Sequence, residues 1–160
     1  MKQRILVVDD DDGIRKPLAL FLKVCGYEVG TAEEGFAALE LFQQQPFDLV
    51  ILDLIMPEKE GLETMIEMRR LQPDVKIIAI SGGGRIEAGD YLKLAEQLGA
   101  VATMEKPFWQ IDMLRVVVNA LKTAIAPDKD GKGLSAATCG FSPGQAIVPA
   151  PDRSPVSIGA

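Results

Sequence analysis

The sequence predicts an α/β fold, a parallel sheet doubly wound with helices on both faces. Three observations carry that expectation. Short apolar runs rich in β-branched residues recur at five places, spaced by roughly two dozen residues. Between them lie segments with the apolar spacing of helices. Four of the runs end on polar or charged groups, and in open α/β sheets the ligand site lies outside those carboxyl ends.

The elements follow in order. Ile5 to Val8, ILVV, is the first strand, and Asp9, Asp10, Asp11 and Asp12 follow it. A helix to about Cys25 comes next, with Ile14, Leu18, Phe21 and Leu22 on one face and Gly26 as its stop. Cys25, in an apolar stretch, is assigned to the core. Pro17 deletes a backbone hydrogen bond inside a helix, so it lies in the first turn or kinks the helix. Tyr27 to Thr31 is a weak, partly polar strand that suits a sheet edge. Glu33 to Gln45 is a helix with Phe36, Leu39 and Phe42 inward, closed by Pro46.

Leu49, Val50, Ile51 and Leu52 read as a strand buried on both faces, with Asp53 at its end. Pro57 and Gly61 mark the loop beyond. Leu62 to Leu71 is a helix with Met65 and Met68 on its apolar side. Val75 to Ile80 is a further buried strand ending at Ser81, and Gly82, Gly83 and Gly84 form a flexible loop. A helix near Ala88 to Leu98 takes Gly99 as its C-terminal signal. Ala100 to Met104 is a short strand, followed by Glu105, Lys106 and Pro107. The last helix runs from about Trp109 to Ala126, with Ile111, Leu114, Val118, Leu121 and Ile125 facing in.

From Pro127 the periodicity vanishes, and ten of the last 34 residues are Gly or Pro. The expected organisation is therefore a folded domain over 1–126 and a disordered tail over 127–160. DKDG, Asp128 to Gly131, opens like a calcium loop, but Cys139 stands where the bidentate acid is needed.

Charge and composition exclude several functions. The net charge is −6, and all of it falls before Pro127, with 20 acids against 14 bases there. Such an acidic body repels nucleic acid. No apolar run is long enough to span a membrane, and the N-terminus is no signal peptide. Histidine is absent, which removes a Ser-His-Asp triad, a Cys-His pair and any His-ligated metal. Cys25 and Cys139 are far apart with no CxxC, so zinc is disfavoured and a reducing cytoplasm is expected.

The polar strand ends are Asp9 and Asp10, Asp53, Ser81, and Lys106. In a parallel sheet they share one side. If the strand order is 2-1-3-4-5, Asp9, Asp10 and Asp53 converge. Three carboxylates in one cleft repel, so one protonates or a cation joins them. Oxygen ligands without His or Cys favour magnesium or a similar ion. Lys106 beside such a site suits a phosphoryl dianion, Ser81 offers it a hydroxyl, and Asp53 is the nucleophile that accepts it. Asp11 and Asp12 are assigned instead to capping the first helix.

The motifs VVDD (Val7 to Asp10), DLVILDLIMP (Asp48 to Pro57), AIS (Ala79 to Ser81) and KPF (Lys106 to Phe108) resemble the receiver domain of bacterial two-component response regulators of the chemotaxis-regulator type. The resemblance covers Met1 to about Ala126. It implies a flavodoxin-like, five-stranded parallel sheet in the order 2-1-3-4-5, an order taken from the family and not read from the residues. It implies that Asp53 takes phosphate from a phosphohistidine on a sensor histidine kinase or histidine phosphotransfer protein. It implies Mg²⁺ held by Asp10 and Asp53, with Asp9 assisting through water and the carbonyl of Ile55 as a further ligand. Lys106 would contact the phosphoryl group, and Ser81 would move to hydrogen-bond it, changing the surface offered to a downstream protein.

Two departures follow. Thr103 stands where the family usually has Tyr or Phe, so the surface change is expected to be smaller or to use another residue. Ile55 puts an apolar side chain beside the phosphate and is expected to hinder the attacking water. Two other readings stay open. DDDG, Asp10 to Gly13, resembles the nucleophile motif of haloacid-dehalogenase-type phosphatases, with Asp10 as nucleophile and Asp12 as acid/base. Alternatively, the chain is a receiver cut from a longer multidomain regulator.

Overall fold

The computed structural model describes residues 2–56, 61–82 and 88–122. Five strands alternate with five helices: β1 Arg4–Val8, α1 Asp12–Val24, β2 Glu28–Ala32, α2 Gly35–Gln44, β3 Leu49–Asp53, α3 Gly61–Leu71, β4 Lys76–Gly82, α4 Ala88–Gln97, β5 Ala102–Lys106 and α5 Gln110–Lys122. The strands form one parallel sheet in the order β2-β1-β3-β4-β5. The polar strand β2 takes an edge, as its sequence predicts.

The central strands β1 and β3 need both faces covered, because Ile5 to Val8 and Leu49 to Leu52 are all fully buried. Alternate residues serve opposite sides. Leu6, Val8, Val50 and Leu52 pack with Leu39 and Phe42 of α2, Met65 and Met68 of α3, and Ala95 of α4. Ile5, Val7, Leu49 and Ile51 pack with Leu18 and Leu22 of α1 and Met113, Val117 and Ala120 of α5. Each such aliphatic side chain contributes about 1.5–3 kcal/mol by leaving water.

Helix ends follow local chemistry. Asp11 caps α1, its carboxylate accepting from the Gly13 amide at 2.7 Å. Gly26 (φ 99°) and Gly99 (φ 92°) occupy the left-handed region just past α1 and α4. At the first, Tyr27 N–H reaches the Leu22 carbonyl at 3.2 Å and Gly26 N–H reaches Lys23 at 3.0 Å, the paired bonds of a Schellman turn. The second repeats that pattern from Ala100 to Ala95 and from Gly99 to Glu96.

Four expectations need correction. Cys25 is exposed, because it sits at the end of α1 where the chain turns outward. Phe36 is 58% exposed, since α2 starts only at Gly35 and turns Ala38, Leu39 and Phe42 inward. The inner stripe of α5 is Met113, Val117 and Ala120, one helical phase from the stripe predicted, which leaves Ile111 exposed and Leu114, Val118 and Leu121 half-buried. Pro17 lies beyond the first turn, on the exposed side of α1, and the helix runs through it to Val24. The predicted tail, its DKDG segment, Ile125, Pro57, Gly83 and Gly84 lie outside the described residues.

Candidate functional site

Parallel pairing brings the carboxyl ends of β1, β3, β4 and β5 to one edge. Val8 pairs with Leu52, so Asp9 leaves β1 beside Asp53, the last residue of β3. One oxygen from each of Asp9, Asp10 and Asp53 lies within 4.8 Å of the others. Lys106, the last residue of β5, places its ammonium 2.7 Å from Asp9 Oδ2 and 2.8 Å from Asp53 Oδ2. Ser81 is fully buried near the end of β4. Asp9, Asp10, Asp53 and Lys106 therefore meet at the predicted edge, and Ser81 lies at the same end of the neighbouring strand.

Their environments differ. Asp9 is fully buried and Asp53 is 3% exposed, whereas Asp10 is open to solvent. Asp9 Oδ1 accepts the Asp11 amide at 2.9 Å, and Asp53 Oδ1 accepts the Ile55 amide at 3.2 Å. The Asp53 carboxylate is thus anchored on one oxygen by the backbone and on the other by Lys106. Asp9 Oδ2 has the ammonium nearby as an ion pair, but no aligned hydrogen-bond donor reaches it.

Three carboxylates and one ammonium leave a formal charge of −2. Burial pushes the Asp53 carboxyl above the ordinary carboxylate range, and Lys106 pulls it only part of the way back. Burial opposes the Lys106 charge too, yet the hydrogen bond to Asp53 and the negative charges of Asp53 and Asp9 outweigh it and raise the ammonium above lysine's usual value. The pocket is short of positive charge. A divalent cation would supply the missing amount, and Asp9 Oδ2, with no aligned donor among the described residues, and open Asp10 are hard oxygen ligands of the kind it takes. The site fits a metal.

Among the described residues the buried Ser81 Oγ has no hydrogen-bond partner. An orphaned hydroxyl costs about 1–3 kcal/mol, and one in this position has a donor free for a ligand. Thr103 pairs with Ala79 across β4 and β5, and its hydroxyl donates to Glu96 of α4 at 2.8 Å. The Ile55 side chain is 48% exposed.

Asp12 behaves as the sequence suggests. It opens α1 and binds Lys16 and Arg15, with Lys16 first among the causes that lower its carboxyl pKa. Its ion pairs serve the helix start, and it is Asp53, not Asp10, that carries the buried lysine partner. Neither observation favours the dehalogenase-type reading. Sequence reasoning did not assign two residues to the site. Gly61 packs behind the acceptor: a Cβ there would meet the Asp53 carbonyl and lie 2.6 Å from Leu54 Cα. Arg15 is a buried cation whose guanidinium donates to the Asp9 carbonyl at 2.5 Å. Its only trace in the sequence is a charge inside an otherwise apolar helix face.

The model of the response regulator receiver domain matches residues 5–119. Sporulation initiation phosphotransferase F of Bacillus subtilis is 32% identical over 118 residues, covering 74% of this chain and 92% of that protein. Transcriptional regulatory protein GlrR of Escherichia coli is 34% identical over 126 residues, 79% of this chain but 28% of that protein's length. Among solved structures, a CheY-like receiver domain protein from Methanospirillum hungatei superposes with a TM-score of 0.69 at 30% identity, covering 76% of this chain and 94% of that one. The receiver domain of NtrX from Brucella abortus gives 0.69 at 33% identity, covering 75% and 99%. Acidic strand ends, a lysine across the sheet and these matches agree: the chain belongs to the response regulator receiver domain family, the receivers of two-component phosphorelay signalling.

Proposed function

We propose that Asp53 is the phosphoacceptor, taking its phosphoryl group from a phosphohistidine on a sensor histidine kinase or histidine phosphotransfer protein. The observation that carries this is the Asp53 carboxylate itself. It is buried, anchored by the Ile55 amide, and shared with Lys106 at 2.8 Å. The chain has no histidine of its own, which agrees with a donor supplied in trans.

Asp53 Oδ attacks phosphorus, the new P–O bond forms as the P–N bond breaks, and the imidazole departs. Lys106 moves its charge from two carboxylates toward the phosphoryl oxygens. Ser81, whose hydroxyl has no partner among the described residues, donates to one of those oxygens. Asp9, Asp10 and Asp53, with the Ile55 carbonyl, would hold Mg²⁺. Bound there, Mg²⁺ neutralises the acidic pocket and screens the incoming phosphoryl dianion. The acyl phosphate later returns to carboxylate and inorganic phosphate when water attacks phosphorus, and the exposed Ile55 side chain hinders that water. The chain thus acts on itself and turns over no separate substrate.

Phosphorylation reshapes the surface around α4 and β5, where Thr103 and Glu96 meet, and a downstream protein reads the change. Residues 1–126 form the receiver and 127–160 a tail. No helix among the described residues is long and apolar enough to cross a membrane, and we place the domain in the cytoplasm. A second reading concerns output: the chain spans 28% of GlrR, so it also suits the receiver portion of a longer regulator. The deciding test is phosphotransfer from candidate kinases to wild type and Asp53→Ala, with Mg²⁺ and without. Label on wild type alone, and only with Mg²⁺, supports the proposal. Equal labelling of Asp53→Ala refutes it.

A further inference from the structure

Arg15 is an unusual residue to find inside the first turns of α1. Its side chain is only 8% exposed. A buried guanidinium is costly unless its donors are matched to acceptors. Here they are matched to three segments at once. One amino group donates to the Asp9 backbone carbonyl at 2.5 Å. The other binds the Asp12 carboxylate and lies 3.8 Å from Glu33, in the loop after β2. The planar fork of arginine can span these acceptors together, whereas a lysine point charge cannot.

The Asp9 carbonyl belongs to the peptide that joins Asp9 to Asp10. A donor fixed on that oxygen sets the plane of that peptide, and with it the direction in which Asp10 leaves the strand. The Asp10 side chain itself is unrestrained: no hydrogen bond or ion pair to its carboxylate occurs among the described residues, and it is exposed. Its direction is therefore set by the two flanking peptides, one held by Arg15 and the other by the Asp11 amide on Asp9 Oδ1. Asp9 is held independently, through its own amide to Ala32 at 3.2 Å and its carboxylate to the Asp11 amide and Lys106. Of the three clustered carboxylates, Asp10 alone has no side-chain bond among the described residues and takes its place from the backbone on either side, of which Arg15 holds the Asp9–Asp10 peptide.

We propose that Arg15 is a positioning residue for the divalent cation, orienting Asp10 through the Asp9–Asp10 peptide. This rests on the reading that Asp9, Asp10 and Asp53 hold Mg²⁺. Arg15 touches neither the ion nor the phosphoryl group. Partners behind metal ligands typically change affinity by 10- to 100-fold when lost, and Arg15→Met is expected to weaken Mg²⁺ binding by at least about tenfold.

The test is calorimetric titration of Mg²⁺ into wild type, Arg15→Met, Arg15→Lys and Glu33→Gln, each first shown folded by circular dichroism. Amide NMR shifts of Asp10 and Asp11 are followed in the same titrations. The expected result is weaker Mg²⁺ binding in Arg15→Met, with moved Asp10 and Asp11 amide signals before any metal is added. Arg15→Lys restores little. Labelling of Asp53 by acetyl phosphate recovers toward the wild-type rate as Mg²⁺ is raised, because the acceptor and Lys106 are intact. Glu33→Gln, which removes only the distant partner, gives a smaller loss and keeps the test open if Arg15→Met does not fold. Mg²⁺ affinity within twofold of wild type in every folded variant overturns the proposal. Wild type that binds no Mg²⁺ refutes the underlying metal reading instead, so the two failures are distinct.

Discussion

The interiors of β1 and β3 and the tips of the same strands are equally dry and chemically opposite. Ile51 and Leu52 are fully buried, and Asp53 beside them is 3% exposed. For the aliphatic residues burial is the stabilising event, because each leaves water and gains neighbours. For Asp53 burial is a cost, and its carboxyl pKa is raised as a consequence. One backbone element therefore carries its stability in the middle and its function at the end. The polar end is tolerable because the apolar middle over-determines its position.

Four substitutions separate the two regions, and the largest effect falls at the tip. Asp53→Ala should abolish labelling by acetyl phosphate or a kinase, as read by intact mass. It should melt no lower than wild type at neutral pH, because the change relieves repulsion among clustered carboxylates. A large loss of stability would break the comparison, since the tip would then be structural. Lys106→Met should slow phosphotransfer by about 10²–10³-fold, the usual scale for losing one donor to developing charge. A rate within threefold of wild type at saturating Mg²⁺ would show that the metal alone neutralises the pocket.

The interior gives the converse result. Ile51→Ala should lose about 2–5 kcal/mol in denaturant unfolding while the folded fraction still labels at Asp53. Gly61→Ala lies between the regions, since its Cβ would press on the Leu54 backbone behind the acceptor. It should cost about 1–3 kcal/mol and also slow labelling, in contrast to Ile51→Ala, which costs stability only. Labelling kinetics beside a urea melt distinguish the two.

Much of this was legible in the residues. Short unbroken apolar runs rich in β-branched residues, such as ILVV and LVIL, read as strands covered on both sides, so the layered fold follows from the need to bury both faces of each strand. Stops at Gly26 and Gly99 follow from the left-handed backbone that glycine alone adopts cheaply. Candidate groups at four strand ends could be named because parallel strands share one direction. Helix faces were less legible: Phe36 and Ile111 were placed inward and are exposed. A helix can rotate by one residue and keep an apolar stripe, so the partner it meets decides the phase.

The sequence by itself determined the alternation of strands and helices, the acidic character of one edge and the absence of any histidine donor. Tertiary structure alone decided that β1 lies beside β3, and hence that Asp9, Asp10 and Asp53 share one pocket with Lys106. It also decided that Ser81 has no hydrogen-bond partner among the described residues and that Arg15 reaches the Asp9 carbonyl. The physical reason is range. Propensity and periodicity act over a few neighbours along the chain, whereas these contacts join residues that only sheet order and helix phase bring together.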